Sequence, residues 1–126
     1  MPLQKILIVD NEAQILERLS HLLTASGWNV ITAINGKDAL EKVKTSRPDA
    51  IVLDMIMPEM DGFQVARSLK SDPDYRRIPI LAATSLSTRA DRERCLAAGC
   101  DDYVAKPFTV EQLQQRLAVL FADRVF

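Results

Sequence analysis

Four chemically active side chains each stand directly after a short apolar run in this 126-residue chain. Asp10 follows the run 6–9, Asp54 the run 50–53, Thr84 the run 80–83 and Lys106 the run 103–105, and Asn11 comes next to Asp10. Carboxylate, amide and carbonyl oxygens suit a hard cation such as Mg2+. A lysine with a hydroxyl suits an oxyanion, and a metal together with a lysine can hold a phosphoryl group. A carboxylate can also attack phosphorus itself and form an aspartyl-phosphate. These residues make one site only if the fold brings the ends of the runs to one rim.

The elements predict that it does. Five apolar runs, 6–9, 30–33, 50–53, 80–83 and 103–105, alternate with five helical segments. The first, third and fourth runs are continuous, as expected of parallel strands covered on both faces. Asn11 with Gln14 is expected to open helix 1, whose apolar pattern is Ile15, Leu19, Leu22 and Leu23, with His21 inside it and Gly27 beyond its end. Asn35-Gly36 opens helix 2, with Leu40 and Val43 on one face. Asp61 with Gln64 opens helix 3, which ends near Asp72-Pro73. Ser87 or Thr88 opens helix 4, and Gly99 closes it. Thr109 with Gln112 makes a capping box for helix 5, with Phe108 and Leu113 as a staple. Val110, Leu113, Leu117, Leu120 and Phe121 form its apolar stripe. The result is (βα)5, an α/β fold with a parallel sheet between two helical layers. Residues 1–126 read as a single domain without linker or repeat, with no room for an output domain after the last helix. In such a sheet, ligands bind beyond the carboxyl ends of the strands.

Composition narrows the function. Sixteen Lys and Arg against seventeen Asp and Glu leave a net charge of -1. Direct binding to a nucleic-acid backbone calls for a basic surplus, so none is expected here. Cys95 and Cys100 suit neither a disulfide framework nor a zinc site. The N-terminal apolar stretch is too short for a signal peptide, and none reaches the roughly 18 residues of a membrane span. The expectation is a cytoplasmic protein without a membrane partner.

At this point the chain resembles a family, the receiver domains of bacterial response regulators in two-component signalling. The likeness covers essentially the whole chain. It rests on Ile6 through Glu12, on Leu53-Asp54-Met55-Ile56-Met57-Pro58-Glu59-Met60-Asp61-Gly62, on Ile78 through Thr84, on Ala98 through Tyr103, and on Lys106-Pro107-Phe108. The resemblance implies a flavodoxin-like sheet of order 2-1-3-4-5, the order for which a chemotaxis receiver is a standing example. It implies Asp54 as phosphoacceptor and Asp10 as the first of an acidic pair that holds Mg2+. Asn11 stands where most receivers have the second acid. Ile56 would lend a backbone carbonyl to the metal. Thr84 matches the switch hydroxyl, Lys106 the lysine that meets a phosphoryl oxygen, Lys106-Pro107 the family's cis peptide, and Tyr103 the aromatic that turns inward on activation. The implied partners are a sensor histidine kinase or phosphotransfer protein as donor and a downstream protein at helix 4, strand 5 and helix 5. The implied protein is a stand-alone phosphoacceptor that catalyses its own phosphorylation and dephosphorylation, and is not a turnover enzyme.

Plainer readings stand beside these. Asn11 also serves as an N-cap. Met55, Met57 and Met60 read as loop and core packing. The run Arg89, Asp91, Arg92, Glu93, Arg94 reads as a solvated helix face. Three rival functions remain: a phosphatase with an aspartate nucleophile, a flavin carrier of the same fold, and a degenerate receiver that signals without phosphate. The first would place D-x-D after strand 1, where Asp10-Asn11-Glu12 stands. The second would need a phosphate loop there, which the acidic residues oppose.

Overall fold

Continuous apolar runs form strands when helices cover both of their faces, and here they do. The computed structural model describes residues 4–86 and 88–122. In chain order the elements are β1 (Lys5–Val9), α1 (Ala13–Ala25), β2 (Asn29–Ala33), α2 (Gly36–Ser46), β3 (Ala50–Asp54), α3 (Gly62–Lys70), β4 (Ile80–Thr84), α4 (Arg89–Ala97), β5 (Asp102–Ala105) and α5 (Val110–Ala122). The sheet order is β2-β1-β3-β4-β5, and every pairing is parallel.

All five residues of β3 and of β4 are buried, whereas the edge strand β2 buries only Ala33. Alternate strand residues feed two cores. Leu7, Val9, Ile51, Leu53, Ile80 and Ala82 face α2, α3 and α4 on one side of the sheet. Ile6, Ile8, Val52, Leu81, Ala83 and Val104 face α1 and α5 on the other.

The helix ends follow the sequence with one exception. Asn35 caps α2 by accepting from the Asp38 N–H at 2.7 Å. Reciprocal capping boxes join Asp61 to Gln64, Thr88 to Asp91 and Thr109 to Gln112. Thr88 thus opens α4, and Ser87 lies outside the described residues. Gly27 and Gly99 follow their helices at φ 99° and 111°, the left-handed backbone that closes a helix.

The exception is α1. Its N-cap is Glu12, with no side-chain cap, so Asn11 does not cap this helix. The physical reason is local: Asp10 Oδ1 accepts from the Glu12 N–H at 2.9 Å, so the acid ending β1 occupies a donor at the helix entrance. His21 and Leu22 also lie outside the buried face expected of α1. Leu16 and Leu23 are buried and Leu19 partly so, while His21 and Leu22 are exposed on its flank. The stripe of α5 holds as expected, with Leu113, Leu117 and Leu120 buried and Phe108, Val110 and Phe121 packed against the same core.

Candidate functional site

Register builds the site. Val9 pairs with Leu53, Leu53 with Ala82, and Ala83 with Val104. One step further along these parallel strands come Asp10, Asp54, Thr84 and, after β5, Lys106. Asp10 is held there because its own N–H donates to Ala33 O at 3.1 Å. The Lys106 N–H donates to Thr84 O at 2.9 Å, and the Lys106-Pro107 peptide is cis. Behind Asp54 the first turn of α3 comes very close. A Cβ on Gly62 would meet Asp54 O and Met55 Cα, each at 2.6 Å, so the bare backbone of glycine is required. Met55 and Met57 are buried and Met60 packs on the core, as their packing role required.

The two acids are 3% and 5% exposed, and Thr84 is fully buried. Burying a carboxylate is costly unless it is paired and hydrogen-bonded. Lys106 supplies the pairing, its Nζ standing 2.9 Å from Asp10 Oδ2 and 3.6 Å from Asp54 Oδ2. The backbone supplies the rest, because the Ile56 N–H donates to Asp54 Oδ1 at 3.2 Å. Burial pushes the Asp54 carboxyl above its ordinary pKa, against the pull of the Lys106 ammonium and the Ile56 N–H. For Lys106 burial works against the charge, but the hydrogen bond it donates to Asp10 and the charges of both acids outweigh it and raise its pKa.

Asn11 lies exposed beside this pair. Among the described residues no group of three or more His, Cys, Asp or Glu side chains is placed to hold a metal. The oxygen donors the structure brings together are the Asp10 and Asp54 carboxylates, to which the resemblance would add the Asn11 amide and the Ile56 backbone carbonyl. Mg2+ suits such a set, because it keeps several waters and takes one or two carboxylates. Thr84 Oγ1 accepts from the Leu86 N–H at 3.1 Å, which leaves its own proton free to be donated.

Tyr103 is buried, and its hydroxyl has no hydrogen-bond partner among the described residues. The Arg92 guanidinium lies 5.4 Å from its ring centroid. Arg94, on the same helix, lies 4.4 Å from the Phe63 ring of α3. Neither contact was visible in the sequence, where both arginines read as a solvated face. Apart from these, a cavity of about 710 Å3 opens beside Lys106, lined by Ile15, Leu19 and Leu22 of α1 and by Phe108 and Val110.

Known proteins share this fold. The family model described as response regulator receiver domain matches residues 6–118. The response regulator MprA of Mycolicibacterium vanbaalenii is 41% identical over 116 residues, which cover 92% of this chain and 49% of that protein. The chain spans about half the length of the curated relatives it matches. Some of these are named probable transcriptional regulators, so the relatives do not bear out the exclusion of nucleic acid made from net charge. Among solved structures, Vibrio cholerae chemotaxis protein CheY4 superposes with a TM-score of 0.89 at 32% identity, covering 94% of this chain and 99% of that one. The receiver domain of the Pseudomonas aeruginosa sensor histidine kinase PA1611, described with a magnesium ion coordinated in its active-site cleft, gives 0.87 at 33% identity, covering 96% and 99%. Among the described residues no helix is long and apolar enough to cross a membrane. With the strand order, the five-run pattern and the matched model in agreement, this chain belongs to the response regulator receiver domain family of two-component systems.

Proposed function

We propose that this receiver accepts a phosphoryl group on Asp54 from the phosphohistidine of a sensor histidine kinase or phosphotransfer protein, and signals through protein contacts. The observation that carries this is the trio at the rim, two buried carboxylates side by side with one ammonium between them. In the transfer, an Asp54 Oδ attacks phosphorus in line. The new O–P bond forms as the P–N bond to imidazole breaks, and the imidazole leaves with that electron pair and is protonated from solvent. The Ile56 N–H fixes Asp54 Oδ1, which orients the carboxylate. Lys106 then pairs with a phosphoryl oxygen, and Thr84 donates its free proton to another. Asp10, Asp54, the Ile56 carbonyl and the Asn11 amide would hold Mg2+, which when bound neutralises charge on the phosphoryl oxygens.

Ile56, 51% exposed, and the partly buried Leu86 cannot orient an attacking water, so the acyl phosphate is expected to be long-lived. Engagement of Thr84 biases a two-state equilibrium in which Tyr103 and the face of α4, β5 and α5 carry the output.

The test is phosphotransfer from a panel of phosphorylated histidine kinases and phosphotransfer proteins to wild type and Asp54→Ala. Label should pass to wild type from at least one donor and never to Asp54→Ala. Equal labelling of both would overturn Asp54 as acceptor, and turnover of small phosphate esters would favour a phosphatase instead.

A further inference from the structure

We propose that Cys95 and Cys100 form a reversible redox site, a thiol pair that a peroxide converts to a disulfide when α4 opens, and that the bridge then fastens the end of α4 to the segment entering β5. These groups take no part in phosphoryl transfer, and the proposal stands whether or not Asp54 is the acceptor.

The argument starts from how α4 ends. Gly99 follows the C-cap Ala98 at φ 111°. Its N–H donates to Leu96 O at 3.0 Å, and the Cys100 N–H donates to Cys95 O at 3.1 Å. These are the two bonds of a Schellman close, which packs the side chain three residues before the cap against the one two residues after it. Here both of those side chains are cysteines. The second bond, added to standard backbone lengths, keeps their Cα atoms within roughly 7 Å. That is the reach of a disulfide. Two thiols make no structural framework, but a pair that closes and reopens is the form disulfides take in a reducing compartment.

The closed molecule protects both thiols. They are buried in the core that also holds Tyr103, and burial raises the pKa of each, so neither meets an oxidant as thiolate. Opening α4 removes that protection. Five of its nine residues, Arg89, Asp91, Arg92, Glu93 and Arg94, are charged, and Cys95 alone is buried. An element with so few buried contacts opens locally at low cost. Cys95 leaves the core with the helix, and its thiol gives its proton to water. The thiolate attacks one oxygen of hydrogen peroxide, the O–O bond breaks, and a sulfenic acid and hydroxide result. When α4 closes again, the Cys100 thiol attacks the sulfenyl sulfur. The S–S bond forms as the S–O bond breaks, and the departing hydroxide takes the Cys100 proton. Two thiols lose two electrons to one peroxide, which ends as two waters.

The test treats the reduced full chain with hydrogen peroxide, alkylates it in denaturant and maps the tryptic peptide that begins at Cys95 and carries both thiols. Both thiols should escape alkylation within a monomeric chain and return with dithiothreitol. In the oxidised protein, amides in the last turn of α4 should exchange at least about threefold more slowly than in the reduced protein. Arg92→Met frees α4 from the Tyr103 ring and should speed bridging about two- to fivefold. Cys95→Ala and Cys100→Ala should form no bridge within the chain, and circular dichroism checks that all three variants fold. Thiols that stay open to alkylation, or that pass to sulfinic acid without a bridge, overturn the proposal. So does a bridge found only between two chains, or equal exchange in α4 before and after oxidation. Equal bridging rates in Arg92→Met and wild type overturn it as well, because helix opening is then not the gate.

Discussion

Helices α3 and α4 are both nine residues long and both open with a reciprocal capping box, yet they are held to the sheet in different ways. Helix α3 buries Gly62, Phe63, Val65, Ala66 and Leu69. Helix α4 buries only Cys95. Its C-cap Ala98 joins the same core, and two of its arginines are laid over aromatic rings, Arg92 on Tyr103 and Arg94 on Phe63, contacts worth about 0.5–1 kcal/mol each at exposed sites. A fully buried large aliphatic side chain contributes about 1.5–3 kcal/mol. Helix α3 is therefore a fixed wall behind Asp54. Helix α4 is held by weak, separable contacts, one of which grips the very aromatic that the resemblance makes the switch. A receiver needs both: a rigid backing for the chemistry and an element whose position a few kcal/mol can change.

Breaking the wall should give the largest effect. Leu69→Ala removes a buried side chain of α3 and should cost about 2–5 kcal/mol in urea unfolding. Gly62→Ala forces a Cβ against the Asp54 carbonyl and should also lower phosphoryl acceptance. On α4, Leu96→Ala at a half-exposed position should change stability by less than about 0.5 kcal/mol. Equal costs on the two helices would erase the distinction between them.

The next effect is alkaline. The Cys100 N–H closes α4 by donating to Cys95 O at 3.1 Å, and both thiols are buried there. Burial, then the neighbouring Cys95 and Asp101, push the Cys100 thiol up to about 12 from 9.0. A pKa raised on folding means the folded state holds the proton more tightly. The stability it confers is complete below 9 and is lost as pH rises from 9 toward 12. This one group gives a slope of at most about 1.4 kcal/mol per pH unit. Urea midpoints from pH 8 to 11 should fall less steeply for Cys100→Ala than for wild type. Parallel profiles would remove the thiol as their cause.

A weaker contact is that of Arg92. Arg92→Met should cost no more than about 1 kcal/mol of stability. It should nevertheless speed amide exchange in α4 and leave α3 untouched. Unchanged exchange in α4 would show that the Arg92–Tyr103 contact holds nothing in place.

Much of this was legible in the chain. Strands β1, β3 and β4 are continuous apolar runs, and a polar residue directly after each marks where the strand ends and the rim begins. Asp10, Asp54, Thr84 and Lys106 could be placed from that alone, given the parallel order. Caps such as Asp61 with Gln64 are local signals and were readable for the same reason. Asn11 was misread as a cap because its type suits one. The competing fact, that Asp10 occupies the Glu12 N–H, depends on the geometry at the end of β1. The arginine–ring contacts join residues far apart in sequence, and a charged run carries no mark of which side chains fold back onto the body. The closer approach of Lys106 to Asp10 than to Asp54 is likewise a matter of packing.

The most direct test of the central claim, that chemistry at Asp54 is backed by α3 and read out through α4 and β5, is amide hydrogen exchange with and without beryllofluoride and Mg2+. Wild type should change protection across α4, β5 and the start of α5 while α3 stays constant, and Thr84→Ala should bind the mimic without that change. Equal changes in α3 and α4, changes confined to α1 and α2, or a Thr84→Ala response like that of wild type would contradict the account.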